Sequence, residues 1–437
     1  MGGLEIGFGA ILVMLVLIYS GLHVAVALML VSFLGVLLMR GSFDIAANLM
    51  VGAFRDSISD YMFGVVPLFV LMGLIVSVAG IGRDTFDVAQ QAFRRVLGGL
   101  GVATVAANAI FAAITGISLA SAAIFTKVAV PEMRRYGYTP HFAVGVVAGS
   151  SVLGMLIPPS LLFILYGVLT EQSVGDLFIA GVIPGLLLSA IYGIGIMAMA
   201  KFTPRFIGGT QVEAVEAPRM GVGEVVAKLL PITLLIVLVL GGIYGGVFTP
   251  TEAGAAGAGG ALIIALVKRR LSWRDFVQVL VQTGHTTASI CFLIMGATLY
   301  SRMLAMSGMP GWLGDTVIGA GFGVDGVIIS MILIMIVLGT ILDSASIMLL
   351  VLPIAVPILT GLDVDLIWLG VIAILAVEIG LLTPPFGLAV YVIKSTLGPD
   401  SDITLGQIFK GAAPFALMMA LVLMLVFLFP ALATALL

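Results

Sequence analysis

The sequence predicts an all-α polytopic membrane protein of two inverted repeats, each with a re-entrant helical hairpin and a transmembrane helix broken at a Pro-Pro pair. Three observations carry this. Of 437 residues, 61% are hydrophobic and 9% charged, with a mean hydropathy of +1.27; a soluble domain carries about 25% charged residues. In lipid every backbone polar group must be paired internally, and long unalternating apolar runs satisfy this as helices, not barrel strands. Second, SVLGMLIPPSLLFILYG from Ser151 has a twin, IGLLTPPFGLAVYVI from Ile379. Pro158 and Pro384 differ by 226, and the same offset carries Pro131 to Pro357, Gly154 to Gly380 and Ser118 to Ser344. Third, the basic residues segregate between loops in a way that closes one topology.

The elements follow in order. Ile6 to Met39 is apolar over 34 residues, about 51 Å as one helix against a hydrocarbon core of about 30 Å, so two short spans broken near Ser20 and Gly21 are expected. Residues 44–60 are polar enough for a loop or surface helix, and residues 1–60 are read as N-terminal scaffold. The apolar start lacks a basic n-region and is expected to be the first membrane helix, not a cleaved signal. The first repeat covers 61–200: a span to Ile81, an amphipathic interfacial connector from Arg83 to Val96, a hairpin over 98–130 and a broken helix over 140–170. Thr115-Gly116-Ile117-Ser118 interrupts the hairpin at its tip.

Residues 201–284 hold a polar linker to Lys228, two scaffold spans and a second interfacial connector from Trp273 to Gln282. Thr249, Pro250 and Glu252 form a capping-box pattern, which gives Glu252 a structural role. The second repeat covers 285–437, with a hairpin over 326–359 whose tip is Gly339 to Ser346, a broken helix over 366–397 and a last span from Gly411. With each hairpin returning to its own side, 15 of the 19 basic residues fall on one face, among them Arg83, Arg134, Arg219, Lys268 and Lys410, against Arg40, Arg55 and Arg302 opposite. The positive-inside rule makes that face cytoplasmic. An odd number of crossings then separates the repeats and inverts one against the other, an arrangement found in secondary transporters.

A broken membrane helix leaves carbonyls and N–H groups without helical partners, at a cost unless an ion, substrate or water pairs with them. The first tip offers Gly116, Ser118 and Ser121, and its break offers the carbonyls of Gly154, Ile157 and Pro159. The second tip offers Gly339, Asp343, Ser344 and Ser346, facing Gly380, Thr383 and Phe386. Oxygen-only ligands with few formal charges suit a hard monovalent cation such as sodium. Two related cation sites flanking one substrate cavity are expected. Asp343, Glu378 and Lys127 are intramembrane ionisable residues and so candidates for coupling; Lys127 also fits a snorkelling role. Arg302 is placed to attract an anion from outside, or to anchor its helix.

Against these stand plainer readings. Pro-Pro and Gly can kink helices purely for packing, and membrane serines often bond back to their own helix. The coincidence of break, tip and repeat favours the functional reading. His23, His141 and His285 show no metal spacing, the single Cys291 excludes a disulfide framework, no basic face suggests nucleic acid, and no Walker A motif occurs. An intramembrane protease or prenyltransferase needs paired aspartates that are missing, so no enzyme and no organic cofactor are expected.

The stretches GISLASAAI from Gly116, PEMRRYGY from Pro131, GMLIPPSLLFILYG from Gly154, LFIAGVIPGLL from Leu177, TPTEAGA from Thr249, LGTILDSASIMLLVLPIAVPI from Leu338 and EIGLLTPPFGLAVYVI from Glu378 together resemble the large, DctM-type membrane subunit of tripartite ATP-independent periplasmic (TRAP) transporters. The resemblance spans essentially the whole chain. It implies an elevator-type, sodium-driven importer of small organic anions, carboxylates or sugar acids, in the bacterial inner membrane. It also implies a DctP-type periplasmic substrate-binding protein and a DctQ-type four-helix membrane subunit, here expected to be a separate chain. The implied sodium ligands are Ser118, Ser121, Gly154, Ile157 and Pro159, and Gly339, Gly380, Thr383 and Phe386. Family members often carry a denser Gly-Ser-Ser run at the first tip, where Ile117 and Leu119 flank Ser118 here. The alternative is a stand-alone ion-coupled transporter or antiporter of the wider ion-transporter group.

Overall fold

A computed structural model describes residues 2–59, 61–208, 220–319, 321 and 323–437. Arg219, counted above on the basic face, lies outside the described residues. Every regular element among the described residues is helical. The N-terminal frame is α1 (Gly3–Tyr19), α2 (Val24–Arg40) and α3 (Phe43–Ser59). The expected break falls between α1 and α2, at Ser20 to His23, and residues 43–59 form a helix. After a 3-10 turn at Tyr61–Gly64 come α4 (Val65–Val78) and α5 (Ile81–Phe93), bent by 63° at Ala79 and Gly80. Their hinge uses Gly80 at φ +70. Asp84 fixes α5: buried at 4% exposure, it accepts hydrogen bonds from Lys268 and Arg270 at the far end of a later helix.

The first hairpin is α6 (Gly99–Thr115) and α7 (Ser118–Arg135). α7 runs past the expected end at Val130, with Pro131 accommodated inside it. The broken helix is α8 (Pro140–Ser151), the single turn α9 (Leu153–Leu156) and α10 (Leu161–Thr170), bent by 41° overall. Thr139 caps α8, and Pro140 takes the first helical position where its missing N–H costs nothing. Next come α11 (Val174–Phe202), α12 (Pro204–Ile207), α13 (Val222–Ile236), a π-helical turn at Val237–Gly241 with α14 (Gly242–Tyr244), and α15 (Pro250–Val267). The capping box before α15 is made as read: Thr249 N donates to Glu252 Oε2 at 2.8 Å, and Glu252 N to Thr249 Oγ1 at 3.3 Å.

The structure corrects the second connector. Residues 273–282 open one continuous 35-residue helix, α16 (Trp273–Ser307), so the expected boundary at 284–285 falls inside it. Gly284 is the only breaker there, and a helix tolerates one glycine at about 1 kcal/mol. The element lying where the 226 offset carries α5 is instead α17 (Met309–Gly319). The second hairpin is α18 (Gly323–Gly339) and α19 (Ser344–Thr360), the second broken helix α20 (Leu366–Leu382) and α21 (Leu388–Leu397), and the chain closes with α22 (Leu405–Leu428) and α23 (Ala431–Thr434). α7 and α8 start at 118 and 140, α19 and α20 at 344 and 366, which is the offset of the proline pairs.

Both breaks have one local cause. The residue before a proline is pushed from helical to extended backbone, and Ile157 (ψ 124) and Thr383 (ψ 137) stop α9 and α20 in that way. Both Pro-Pro bonds are cis. The broken helices form the middle of the molecule: α8 is buried from Phe142 to Ser151 and α20 from Trp368 to Leu382. α2, α3 and α4 pack along α16, α15 packs on α4, and α22 on α8. Large apolar side chains stay exposed on the outer helices, such as Leu12, Leu234, Ile263 and Leu417. They need no burial where the surrounding solvent is itself apolar. Among the described residues, five single helices, and two bent pairs, are long and apolar enough to cross a bilayer. This is a multi-pass membrane protein.

Candidate functional site

At the first tip, Gly116 ends α6 with φ +61, a backbone conformation that favours glycine. A Cβ there would sit 2.6 Å from the carbonyl oxygen of Pro159, so the tip backbone presses directly on the break. Leu161 N, the first helical N–H after the proline pair, donates to Gly116 O at 3.2 Å. A Cβ on Gly154 would meet the Ile117 carbonyl and Ser118 N at 3.1–3.2 Å. Gly116, Ser118, Gly154 and Pro159 are therefore brought together. Ile157 lies in the same buried stretch, its side chain filling the space left by Gly185 of α11. Ser160 caps α10, donating to Met155 O and accepting from Phe163 N.

The second tip repeats the backbone contact. Thr340 O accepts from Phe386 N at 3.2 Å and Gly387 N at 3.1 Å. Gly339 and Gly380 touch so closely that a Cβ on either would lie 2.6–2.8 Å from the Cα of the other. Thr383 donates its hydroxyl to Ile379 O at 2.7 Å, and Phe386 beyond the proline pair is 48% exposed. Asp343 caps α19, accepting from Ser346 N at 3.1 Å and from the Ser346 hydroxyl. Ser344 Oγ donates to Glu378 Oε1 at 3.0 Å; Glu378 is 2% exposed, and its other oxygen has no hydrogen-bond partner among the described residues.

The two tips face one another across a cavity of about 370 Å³. Ser118 to Ala120 line one side and Asp343 to Ala345 the other, with Met155, Leu161, Leu381 and Leu388 from the broken helices and Thr286 and Ser289 from α16. Of the residues singled out from sequence, Ser118, Asp343 and Ser344 line it. Gly116, Ser121, Gly154, Ile157, Pro159, Gly339, Ser346, Glu378, Gly380, Thr383 and Phe386 stand behind it or beside the breaks.

Arg302 and Lys127 do not reach this cavity. Arg302 pairs with Asp56 of α3 and lines a larger cavity of about 640 Å³ with Ser57, Thr170, Glu171, Thr298 and Ser301. Lys127 is exposed, in a cleft with Arg83 and Arg135. Sequence reading missed Thr286 and Ser289 on the cavity wall, and the buried pair Asn108 and Ser150, which share a hydrogen bond of 2.6 Å behind the first tip. Asn108 carried a signal, being a lone carboxamide in an apolar run, GLGVATVAANAIFAAIT.

Two helical hairpins and two broken helices converging on one central cavity, in a multi-pass bundle, make the architecture of a membrane transporter. The chain belongs to the family described as the tripartite ATP-independent periplasmic transporter, DctM component, which matches residues 11–432. It is similar to the C4-dicarboxylate TRAP transporter large permease protein DctM of Pseudomonas aeruginosa, 34% identical over 398 residues, 90% of each chain. It is likewise similar to the sialic acid TRAP transporter large permease protein SiaM of Vibrio cholerae, 32% identical over 424 residues, 97% of this chain and 96% of that one. The fold also resembles the solved structure of Neisseria gonorrhoeae MtrF, described as an antimetabolite efflux pump, with a TM-score of 0.59 over 90% of this chain and 85% of that one at 13% identity. The relatives are permease subunits, and this chain is a transport component, not an enzyme.

Proposed function

We propose that this chain is the permease of a sodium-coupled, binding-protein-dependent transporter that imports a small organic anion, a carboxylate or sugar acid, across the bacterial inner membrane. The observation that carries the reading is the cavity between the two tips, each tip joined by backbone hydrogen bonds to the break behind it. Family membership supports a DctP-type binding protein and a DctQ-type small subunit as partners, and the relatives named for C4-dicarboxylates and sialic acid support an anionic substrate.

The two hairpins are re-entrant and, with their broken helices, form two inverted repeats related by the 226 offset. Sodium binds behind each tip, at Ser118, Ser121, Gly154, Ile157 and Pro159 and at Gly339, Gly380, Thr383 and Phe386. It orders the tips, and the anion then joins the cavity lined by Ser118, Asp343 and Ser344. The loaded bundle moves as an elevator against a frame of α2, α3, α4, α15 and α16, whose mutual packing supports that role. The ion pairs from Asp84 to Lys268 and Arg270 tie α5 to the end of α15 and hold the frame's edge. Coupling requires that sodium bind one state more tightly than the other.

The test is uptake into proteoliposomes holding this chain and its small subunit, with candidate binding proteins and radiolabelled carboxylates or sugar acids, with and without a sodium gradient. Accumulation that needs both the binding protein and sodium is expected. Uptake indifferent to sodium rejects the coupling, and uptake without any binding protein favours the stand-alone transporter.

A further inference from the structure

We infer that Asn108 is a positioning residue for the first cation site, and that it acts by turning the hydroxyl of Ser121 so that its oxygen is free to face an ion. The inference rests on the sodium reading above and deepens it.

A serine hydroxyl has one hydrogen to give and two lone pairs to offer. It binds a cation through the oxygen, so its hydrogen must be taken up elsewhere. In an apolar helix the usual taker is the carbonyl one turn back. Neighbouring hydroxyls in this region do that: Thr104 donates to Leu100 O, Thr115 to Phe111 O, Thr126 to Ala122 O and Ser150 to Val146 O, each at 2.7–3.0 Å. Ser121 does not. Its hydrogen goes sideways to Asn108 Oδ1 on α6, at 2.5 Å. The carbonyl it would otherwise occupy, Ile117 O, lies at the hairpin tip beside Gly154 and, among the described residues, keeps only the backbone bond from Ser121 N at 3.3 Å.

Only one direction of the bonds in this chain gives every hydroxyl hydrogen an acceptor among the described residues. Asn108 Nδ2 donates to Ser150 Oγ at 2.6 Å, and Ser150 in turn donates to Val146 O. Ser150 has spent its hydrogen, so it must accept, which obliges the amide to present N–H₂ to α8 and its oxygen to α7. Ser121 must then be the donor. Asn108, Ser121 and Ser150 are all fully buried, where a hydrogen bond left unmade is costly and a satisfied network fixes one geometry. The network ties both arms of the first hairpin to the broken helix behind it. At the 226 offset stand Ile334, Ile347 and Ala376, so the second half has no counterpart.

The experiment measures uptake against sodium concentration in proteoliposomes with the small subunit and binding protein, for wild type, Asn108→Leu, Ser150→Ala, Ser121→Ala and the Asn108→Leu/Ser121→Ala double variant. Asn108→Leu keeps the branching at Cγ, at the cost of a larger side chain in a fully buried place, and removes both bonds. It should raise half-activating sodium by about three- to tenfold, the worth of one neutral hydrogen bond. Half-saturating substrate at saturating sodium should stay within about twofold, a split that a general loss of fold does not produce. Added to Ser121→Ala it should change sodium activation by less than about twofold, because the pair acts as one unit. Where Asn108→Leu does not fold, Ser150→Ala, which only releases the amide, decides by the same sodium shift. Unmoved sodium activation in a sodium-activated wild type, or full additivity with Ser121→Ala, overturns the role of Asn108 alone. A wild type with no sodium activation overturns the coupling reading and this inference with it.

Discussion

Gly380→Ala tests whether the tip and the break bear on each other as tightly as the geometry states. A Cβ at Gly380 would lie 2.6 Å from Gly339 Cα, 2.7 Å from Ile336 O and 3.0 Å from Gly339 C, where ordinary contacts begin at 3.4 Å. All three neighbours are backbone, so no rotamer relieves the clash. α18 must withdraw by about 0.8 Å, the difference between 3.4 and 2.6 Å. That displacement strains the bonds from Phe386 N and Gly387 N to Thr340 O, which are already 3.2 and 3.1 Å long. Overpacking of this kind costs about 1–3 kcal/mol, and each weakened bond adds up to about 1 kcal/mol. The gain in helix propensity from glycine to alanine returns about 1 kcal/mol at most. The sum stays destabilising. Purified protein heated at one fixed scan rate should unfold at a lower midpoint, with weaker sodium activation of uptake. Gly259→Ala on α15, where a Cβ meets nothing within 4 Å, is the control and should match or exceed wild type. A Gly380→Ala protein with the wild-type midpoint and wild-type sodium activation would refute the claimed contact between tip and break.

Two further outcomes follow from single bonds. Thr383 commits its hydrogen to Ile379 O, leaving its oxygen free; Thr383→Val should raise half-activating sodium by about three- to tenfold with little change in unfolding midpoint, and unchanged sodium activation removes the residue from the site. Asp402, in the loop before α22, accepts two bonds from Arg134 at 2.7 and 2.8 Å, and that hydrogen bonding holds its carboxyl below the usual carboxylate range. A depressed folded value means the bridge stabilises fully above the unfolded value and is lost as pH falls through the folded one. The midpoint gap between wild type and Asp402→Asn, small because both groups are exposed, should hold from neutral pH down to about pH 4 and close below it. A gap that closes between pH 7 and 6 contradicts this.

How much of this is legible in the sequence depends on whether a signal is local. The breaks were legible because a proline pair acts on its own neighbours, fixing Ile157 and Thr383 as extended whatever packs around them. The tips were legible because Gly116, Ser118 and Asp343 interrupt otherwise apolar helices. The second connector is not: Trp273 to Gln282 has the amphipathic composition of a surface helix, and only the lack of a breaker stronger than Gly284 before His285 keeps it continuous with the span. The charge of Arg302 suits either attraction of an anion from outside or anchoring of its helix, and charge alone cannot reveal that its guanidinium pairs with Asp56, 246 positions earlier, beside a different cavity. Asn108 and Ser150 were invisible as a pair for the same reason, since they meet only when α6 crosses α8.

What the two halves share is backbone, and what separates them is how the hydroxyls are supported. Both have the close glycine contacts, the extended residue before the proline pair and the tip-to-break hydrogen bonds. The first half then holds Ser121 with a neutral carboxamide, while the second holds Ser346 and Ser344 with the carboxyl groups of Asp343 and Glu378. α7 and α19 begin at Ser118 and Ser344, so both direct a helix N-terminus, with its partial positive charge, at the same cavity. Asp343 offsets that charge at the second tip, whereas among the described residues no side chain caps the first, where Ile117 takes the capping position. Burial differs as well: residues 157–160 are enclosed, while Pro384, Pro385 and Phe386 are exposed. The effect of a substitution in one half therefore does not transfer to its partner 226 positions away, because the same turn of backbone stands in a different electrostatic setting.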